Sequence, residues 1–225
     1  MDRKIRKRMI QVFGVLVVQM AVFFIAAGRV DAVRGWIYFC ADIVYLGVNG
    51  IFLLRRAPQV VRARSQLKRV QSWDAPIIVL YTLLSTFIAP YAAGADVGAL
   101  VSHSDLAAVA AGLGVFALGG FLVSWAMVEN KYFEGAARIQ KERRQRVITT
   151  GPYSIVRHPG YAGMMLFMVS LVLITGSRYA VYPVSLMVCL FVVRTYFEDS
   201  MLRAGLKGYA AYSRRVRYRL MPGVW

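Results

Sequence analysis

Six long apolar runs constrain the fold of this chain more than any other feature of its sequence. They occupy residues 10–27, 36–54, 75–93, 106–128, 161–175 and 181–197. A bilayer core is about 30 Å thick and takes roughly 20 helical residues to cross. The first four runs are long enough, whereas the fifth is short and predicts a helix that tilts or borrows loop residues. The sequence therefore predicts an all-α fold, a polytopic transmembrane bundle of about six spans.

The basic residues follow these runs in a regular alternation. The chain has 28 Lys and Arg against 11 Asp and Glu, a net charge of +17, yet only 17% of its residues are charged. Of the 28 basic residues, 24 fall before the first run, between the second and third, between the fourth and fifth, or after the sixth. This is the positive-inside pattern and not the basic surface of a nucleic-acid-binding protein.

The alternation predicts an integral membrane protein with both termini in the cytoplasm, and the compactness of the chain favours a bacterial inner membrane. Residues 136–147 predict a basic amphipathic helix on the membrane surface, one of several expected cytoplasmic interfacial helices. The first run also resembles a signal peptide, but its apolar core is longer than usual for one.

The chain divides into two parts, and candidate chemical motifs occur in the second part. Residues 1–105 predict three spans with no chemical motif, and residues 106–225 predict three spans, a cytoplasmic loop and a basic tail. Cys40 and Cys189 lie singly inside apolar runs, which predicts two small buried residues. No Cys or His cluster has metal-ligand spacing, so no metal site is predicted.

A polar motif precedes the fifth run. Pro159 suits the first turn of a helix, so Arg157 and His158 stand at the positive N-terminal end of that helix. Tyr161 follows on the same helical face as His158. The neighbouring glycines, Gly160 and Gly163, leave room for close approach by another helix or a ligand.

The sixth run returns to the same side of the membrane and ends in Glu198 and Asp199. Because the last two runs form a hairpin, the acidic pair is predicted to lie opposite Arg157, His158 and Tyr161. A mixed-charge pocket of this kind suits S-adenosylmethionine, but also NADPH or a phospholipid headgroup.

Simpler interpretations of the same residues exist. Arg157 and His158 suit contacts with lipid phosphates, and Glu198 and Asp199 suit a solvated helix end. The tyrosines of the tail are expected to be interfacial belt residues, a prediction made for Tyr209 and Tyr212.

The motif residues together resemble a known family. Arg157-His158-Pro159-Gly160-Tyr161-Ala162-Gly163, followed after one more span by Glu198-Asp199, is similar to the signature of the isoprenylcysteine carboxyl methyltransferase and phospholipid methyltransferase family. The tail, with Leu202, Gly208, Tyr209, Tyr212 and residues 216–222, also resembles the ending typical of that family.

The resemblance implies an integral membrane methyltransferase that uses S-adenosyl-L-methionine without a Rossmann domain. It implies cofactor-binding roles for Arg157, His158, Tyr161 and Glu198. Asp199, which takes the place of the family's second Glu and is one methylene shorter, is assigned to the same cofactor-binding set.

The acceptor implied is a lipophilic small molecule or a lipid-linked substrate, such as an isoprenylcysteine carboxylate or a phospholipid, in contact with membrane lipids. Arg194 and Arg217 are candidate catalytic residues that would orient an anionic acceptor. Two alternative functions are a membrane reductase of the sterol-reductase type using NADPH, and a non-catalytic membrane scaffold.

Overall fold

The computed structural model describes residues 3–64, 70–99 and 106–225, and within these ranges the chain is helical with no strand. The all-α prediction is confirmed. The helices are α1 (Arg3–Ala27), α2 (Val33–Arg56), α3 (Pro58–Arg64), α4 (Asp74–Leu83), α5 (Ala89–Ala99), α6 (Leu106–Glu129), α7 (Pro159–Thr175), α8 (Val181–Gly205) and α9 (Tyr209–Arg215).

Five helices among the described residues are long and apolar enough to cross a membrane: α1, α2, α4 continued by α5, α6 and α8. A π-helical turn, Leu84–Ile88, joins α4 to α5 without interrupting that span. The fifth predicted run is α7, which has 17 residues and is about 25 Å long at 1.5 Å per residue. It begins at Pro159 and stops before Gly176, whose φ of 71° is the left-handed conformation that ends a helix. The protein is thus an integral membrane protein with roughly the predicted number of spans.

Small residues bring α6 and α7 into close antiparallel contact. A Cβ atom on Gly163 would lie 2.7 Å from the carbonyl oxygen of Gly119, and one on Gly119 would lie 2.8 Å from that of Gly163. Backbones that approach so closely gain dispersion contacts, which drive helix association where lipid is as apolar as the helices. Since α7 continues from the polar motif, this seam fixes where that motif lies in the bundle.

The N-terminal end of α4 and the C-terminal end of α8 meet at one end of the bundle. Arg194 pairs with Asp74, with Nε 2.7 Å from Oδ1. At the opposite end, Asp96 accepts the N–H of Tyr179 at 3.2 Å, and Arg34 donates to the carbonyl of Thr175 at 3.4 Å. The segments rich in Lys and Arg therefore gather at the end that carries the Asp74–Arg194 pair.

The predicted amphipathic helix at 136–147 is not formed. Only a 3-10 turn, Lys141–Arg143, interrupts an otherwise extended loop. The N–H of Ala137 donates to Asp74 at 2.7 Å, and the N–H of Gln140 donates to the side chain of Gln145 at 2.7 Å. Side chains thus take the backbone donors that a helix would use. The helices outside the spans are instead the short α3 and α9.

Both cysteines are exposed on the spans, so the prediction that they are buried is wrong. An apolar run carries no signal for burial in a membrane protein, because lipid accepts small apolar side chains as readily as the protein interior does. The division at residue 105 stays a prediction, since it falls within 100–105, outside the described residues.

Candidate functional site

The start of α7 and the end of α8 lie side by side, as the hairpin predicts. His158 is the residue before Pro159, the first residue of α7, and Tyr161 follows one turn later. The Tyr161 hydroxyl donates to the carboxylate of Glu198. The rings of His158 and Tyr161 are stacked, with centroids 5.7 Å apart and planes 6° apart. Three of the predicted site residues therefore share one wall.

That wall bounds a cavity of about 760 Å³, counting the part open to solvent. The other walls come from the loop after α6, the turn before α7, and the chain around α9. The lining side chains include Asn130, Phe133, Gln140, Tyr153, Arg157, His158, Tyr161, Glu198, Tyr209 and Tyr212.

Glu198 is the acidic group of this cavity that has no ion pair among the described residues, although the charge of buried Arg194 acts on it through space. It is half-buried and bonds to the Tyr161 hydroxyl, and no Lys, Arg or His of the described residues pairs with it. By contrast Glu134, which also lines the cavity, pairs with Arg138 at 2.8 Å. A carboxylate without an ion pair at the edge of a membrane protein attracts a cationic group.

The residues of the cavity fit S-adenosylmethionine by their chemistry. Glu198 suits its ammonium or sulfonium. Aromatic rings such as Tyr153 and Phe133 suit a flat purine. The cavity is lined by both charged and apolar groups, and S-adenosylmethionine carries groups of both kinds.

Arg157 and Asp199 form a buried ion pair behind the cavity. Nε of Arg157 lies 2.7 Å from Oδ1 of Asp199, and both side chains are 1% exposed. A second guanidinium nitrogen of Arg157, Nη1, donates to the carbonyls of Val216 and Arg217 at 2.8 and 2.7 Å. With its donors used in this way, Arg157 anchors the C-terminal segment, although part of it faces the cavity.

Asp199 is also bonded to several other groups of the C-terminal part. It accepts a hydrogen bond from the Tyr209 hydroxyl at 2.9 Å and lies 3.1 and 3.2 Å from Nε of Arg203 and Arg219. It is not among the cavity-lining residues. Its shorter side chain is therefore engaged within the protein, away from the space that a cofactor would fill.

The prediction that Tyr209 and Tyr212 are interfacial belt residues is wrong. Both are buried, at 4% and 5% exposure, and both line the cavity. The Tyr212 hydroxyl donates to the carbonyl of Tyr153 at 2.6 Å. Burial raises the pKa of both tail tyrosines, so both hydroxyls stay protonated and act as donors. A tyrosine near a span end gives no sequence signal for a tail that folds back.

Arg194 and Arg217, predicted to orient an anionic acceptor, do not line the cavity. Arg194 is buried, and besides Asp74 it donates to the carbonyl of Gly135 at 2.6 Å. Its guanidinium lies over the Tyr161 ring, 5.2 Å from the centroid. Arg194 therefore positions the loop and Tyr161. Arg217 is exposed, and its backbone carbonyl is the part that contacts Arg157.

Sequence reasoning missed the loop between α6 and α7 as a wall of the site. Gln140 is 2% exposed and donates to the carbonyl of Tyr132 at 2.6 Å. Asn130 donates to the Tyr153 hydroxyl at 3.2 Å. These are contacts of amides within an irregular loop, and neither helical nor strand periodicity marks them.

Comparison with known proteins supports the family suggested by the motif. The model of the phospholipid methyltransferase family matches residues 107–207, the segment that contains His158, Tyr161 and Glu198. The resemblance predicted from the sequence is confirmed for this segment. The segment ends before Gly208, Tyr209 and Tyr212, the tail residues that also suggested the family. No curated protein matches the chain.

Proposed function

We propose that this chain, whose residues 107–207 match the phospholipid methyltransferase family, is an S-adenosylmethionine-dependent methyltransferase acting on a lipophilic acceptor. The family match supports a membrane methyltransferase. The observation that supports the finer proposal is the carboxylate of Glu198, which has no ion pair among the described residues and lies beside Tyr161 and His158 in a mixed-charge cavity.

The methyl donor supplies a sulfonium methyl group that is already activated for displacement. The chain therefore has to hold and orient the donor and the acceptor, and to keep water away from the reacting atoms. Glu198 holds the cationic part of the donor, and the bond from Tyr161 fixes the direction of its carboxylate. His158 and the buried tyrosines of the tail close the remaining walls. An acceptor lone pair forms the bond to the methyl carbon while the electrons of the broken bond stay on the sulfur. A carboxylate acceptor needs no base, whereas an amine or hydroxyl acceptor also releases a proton.

The proposed function also includes an orientation of the cavity toward one side of the membrane. The cavity lies at the end of the bundle that carries the Arg- and Lys-rich segments, and the positive-inside rule assigns that end to the cytoplasm. Both termini then face the cytoplasm, in a bacterial inner membrane. A soluble donor enters there, while an amphipathic acceptor reaches the same end from the bilayer.

Titration calorimetry of the full chain in detergent with S-adenosylhomocysteine tests the proposal. Wild type is expected to bind, and Glu198→Gln is expected to bind about tenfold or more weakly, because a charge-assisted contact is lost. Asp31→Asn is the matched control, since Asp31 is an exposed carboxylate whose side chain is 73% accessible.

Three results would contradict the proposal. One is the absence of S-adenosylhomocysteine binding to wild type, and another is binding of NADPH in its place. The third is an equal loss of affinity in Glu198→Gln and in Asp31→Asn, which would show that the site is not at Glu198.

A further inference from the structure

An acidic side chain lies inside the second span, away from the residues that line the cavity. Asp42 belongs to α2, about 14 Å along the helix axis from Val33 and about 21 Å from Arg56. Because the hydrocarbon core of a bilayer is about 30 Å thick, Asp42 lies near the middle of the membrane. A carboxylate is costly at this depth, and ionisable residues of this kind commonly belong to functional sites.

Asp42 points into the bundle and not toward lipid. At 3.6 residues per turn, Phe39 and Leu53 lie on the same side of α2 as Asp42, and both are buried. Val44 and Val48 lie on the opposite side, and both are exposed. Asp42 is half-buried although it stands at the centre of the inward side. Part of it therefore borders open space between the helices.

Three tyrosine hydroxyls lie around this carboxylate. The charge of Asp42 acts through space on the hydroxyls of Tyr38, Tyr45 and Tyr81, so each of them lies within its electrostatic range. Tyr38 and Tyr45 are one turn away on α2, whereas Tyr81 belongs to α4. The Tyr45 hydroxyl is already engaged, since it lies 3.3 Å from Oγ of Ser124 on α6. Tyr38 and Tyr81 are the hydroxyls that remain for a ligand at Asp42.

Aromatic rings form the apolar part of these surroundings. The Tyr38 ring packs edge-to-face on Phe116 of α6, with centroids 6.2 Å apart. The Tyr81 ring packs in the same way on Phe191 of α8, with centroids 5.1 Å apart. Phe191 also contacts Tyr161, at 5.3 Å between centroids. The space at Asp42 is therefore bounded by apolar rings, and Phe191 separates it from the cavity described above.

The chemistry of these groups selects a neutral ligand. Asp42 has no ion pair or hydrogen bond with a described residue, and the described ranges include the whole of α2 and of the helices that carry Tyr81, Phe116 and Phe191. A carboxylate accepts hydrogen bonds, and a tyrosine hydroxyl either donates or accepts. A hydroxyl on an apolar molecule satisfies both without bringing a second charge into hydrocarbon, whereas a cation would also have to be desolvated.

We propose that Asp42, Tyr38 and Tyr81 form a binding site within the bilayer for a neutral, apolar molecule that carries a hydroxyl group. The ligand hydroxyl donates to Asp42 and accepts from a tyrosine, and its apolar body lies against Phe116 and Phe191. The ligand reaches the site from the lipid phase. This site is separate from the donor cavity, and it does not depend on the proposed methyltransferase function.

Binding of tritiated 1-naphthol tests the site. The full chain is immobilised in phosphatidylcholine nanodiscs and titrated with this probe, and counts from empty nanodiscs correct for partition into lipid. Wild type is expected to bind the probe saturably. Naphthalene has the same rings without the hydroxyl, so it is expected to compete about tenfold or more weakly than unlabelled 1-naphthol.

Substitutions locate the bound probe. Asp42→Asn is expected to bind 1-naphthol about tenfold more weakly, because a charge-assisted hydrogen bond is lost. Tyr38→Phe and Tyr81→Phe each remove one hydroxyl and are expected to bind roughly fivefold more weakly. The matched controls Asp31→Asn and Tyr91→Phe make the same changes at exposed positions and are expected to bind as wild type does.

Four results would overturn the proposal. The first is the absence of saturable binding to wild type, and the second is equal competition by naphthalene and 1-naphthol, since the hydroxyl would then not be recognised. The third is stronger competition by 1-naphthylmethylamine, a cation at neutral pH, which would show that the site takes a positive charge. The fourth is an equal loss of affinity in Asp42→Asn and Asp31→Asn.

Thermal unfolding without ligand gives an independent check. Removal of a carboxylate from the middle of the membrane should leave the Tm of Asp42→Asn unchanged or raise it, and a clear fall would show that Asp42 has a structural partner instead. S-adenosylhomocysteine should bind equally to Asp42→Asn and wild type. Its failure to bind wild type would defeat the proposed function alone, because binding of 1-naphthol is measured separately.

Discussion

Replacement of Asp199 by Asn is expected to loosen the C-terminal segment that closes the site. Asp199 is 1% exposed and accepts two bonds from Arg157, at 2.7 and 3.1 Å, and one from the Tyr209 hydroxyl at 2.9 Å. Asn is nearly the same size, so the substitution removes charge without leaving a cavity. What remains is the buried guanidinium of Arg157 without its counter-ion.

The cost follows from that unpaired charge. Removal of one partner from a buried ion pair costs about 3–5 kcal/mol. The lower end applies here, since the amide oxygen of Asn still accepts one bond and Arg157 keeps its bonds to the carbonyls of Val216 and Arg217, at 2.8 and 2.7 Å. At about 3 kcal/mol, with a tenfold change for each 1.4 kcal/mol, opening of the segment becomes more frequent by roughly 100- to 200-fold.

Amide hydrogen exchange of the full chain in detergent measures this change. Exchange in α9 is expected to accelerate by about two orders of magnitude in Asp199→Asn, while exchange at the α6–α7 seam stays as in wild type. Asp31→Asn, which neutralises an exposed carboxylate, is the control. Unchanged exchange in α9 would refute the reasoning, as would an equal acceleration throughout the chain, because the pair would then not act locally on the tail.

Two further substitutions test the packing around the site. Gly163→Ala places a Cβ 2.7 Å from the carbonyl oxygen of Gly119 and should lower stability by about 1–3 kcal/mol in thermal unfolding; Gly114→Ala, with nothing within 4 Å of the new Cβ, should not. Asp74→Asn replaces the carboxylate that accepts the N–H of Ala137 at 2.7 Å by a weaker, neutral acceptor. Exchange of the loop at 136–148 should therefore rise, and the affinity for S-adenosylhomocysteine should fall about tenfold.

Each of these has an outcome that would contradict it. Equal melting temperatures for Gly163→Ala and Gly114→Ala would mean that the seam between α6 and α7 tolerates a wider spacing. Faster loop exchange in Asp74→Asn with unchanged affinity would mean that the loop is not a wall of the binding site.

The spans and the hairpin were predictable because they depend on local composition. Apolar runs of the length of a bilayer specify helices, and two consecutive spans must bring their ends to the same side. That constraint places His158 and Tyr161 near Glu198 with no knowledge of side-chain contacts. Pro159 marks the helix start for an equally local reason, its missing N–H.

The rest of the site depends on contacts between residues distant in sequence. The Asp74–Arg194 pair joins residues 120 positions apart, and Arg157 meets Asp199 across 42. A sequence shows an isolated charge but not its partner, which is why Arg194 suggested an acceptor contact. Loop 130–148 has no periodic pattern to interpret. Its charges suggested a surface helix, but backbone N–H groups that a helix would use donate to side chains instead.

The central claim is that the turn before α7 and the acidic end of α8 form one cofactor pocket. Ultraviolet cross-linking of S-adenosyl-[methyl-³H]methionine to the full chain, followed by peptide mapping, tests it most directly. We predict label in peptides containing residues 130–161 or 198–212, displaced by excess unlabelled S-adenosylhomocysteine. Label confined to α1 or α2, or label that S-adenosylhomocysteine does not displace, would contradict the account.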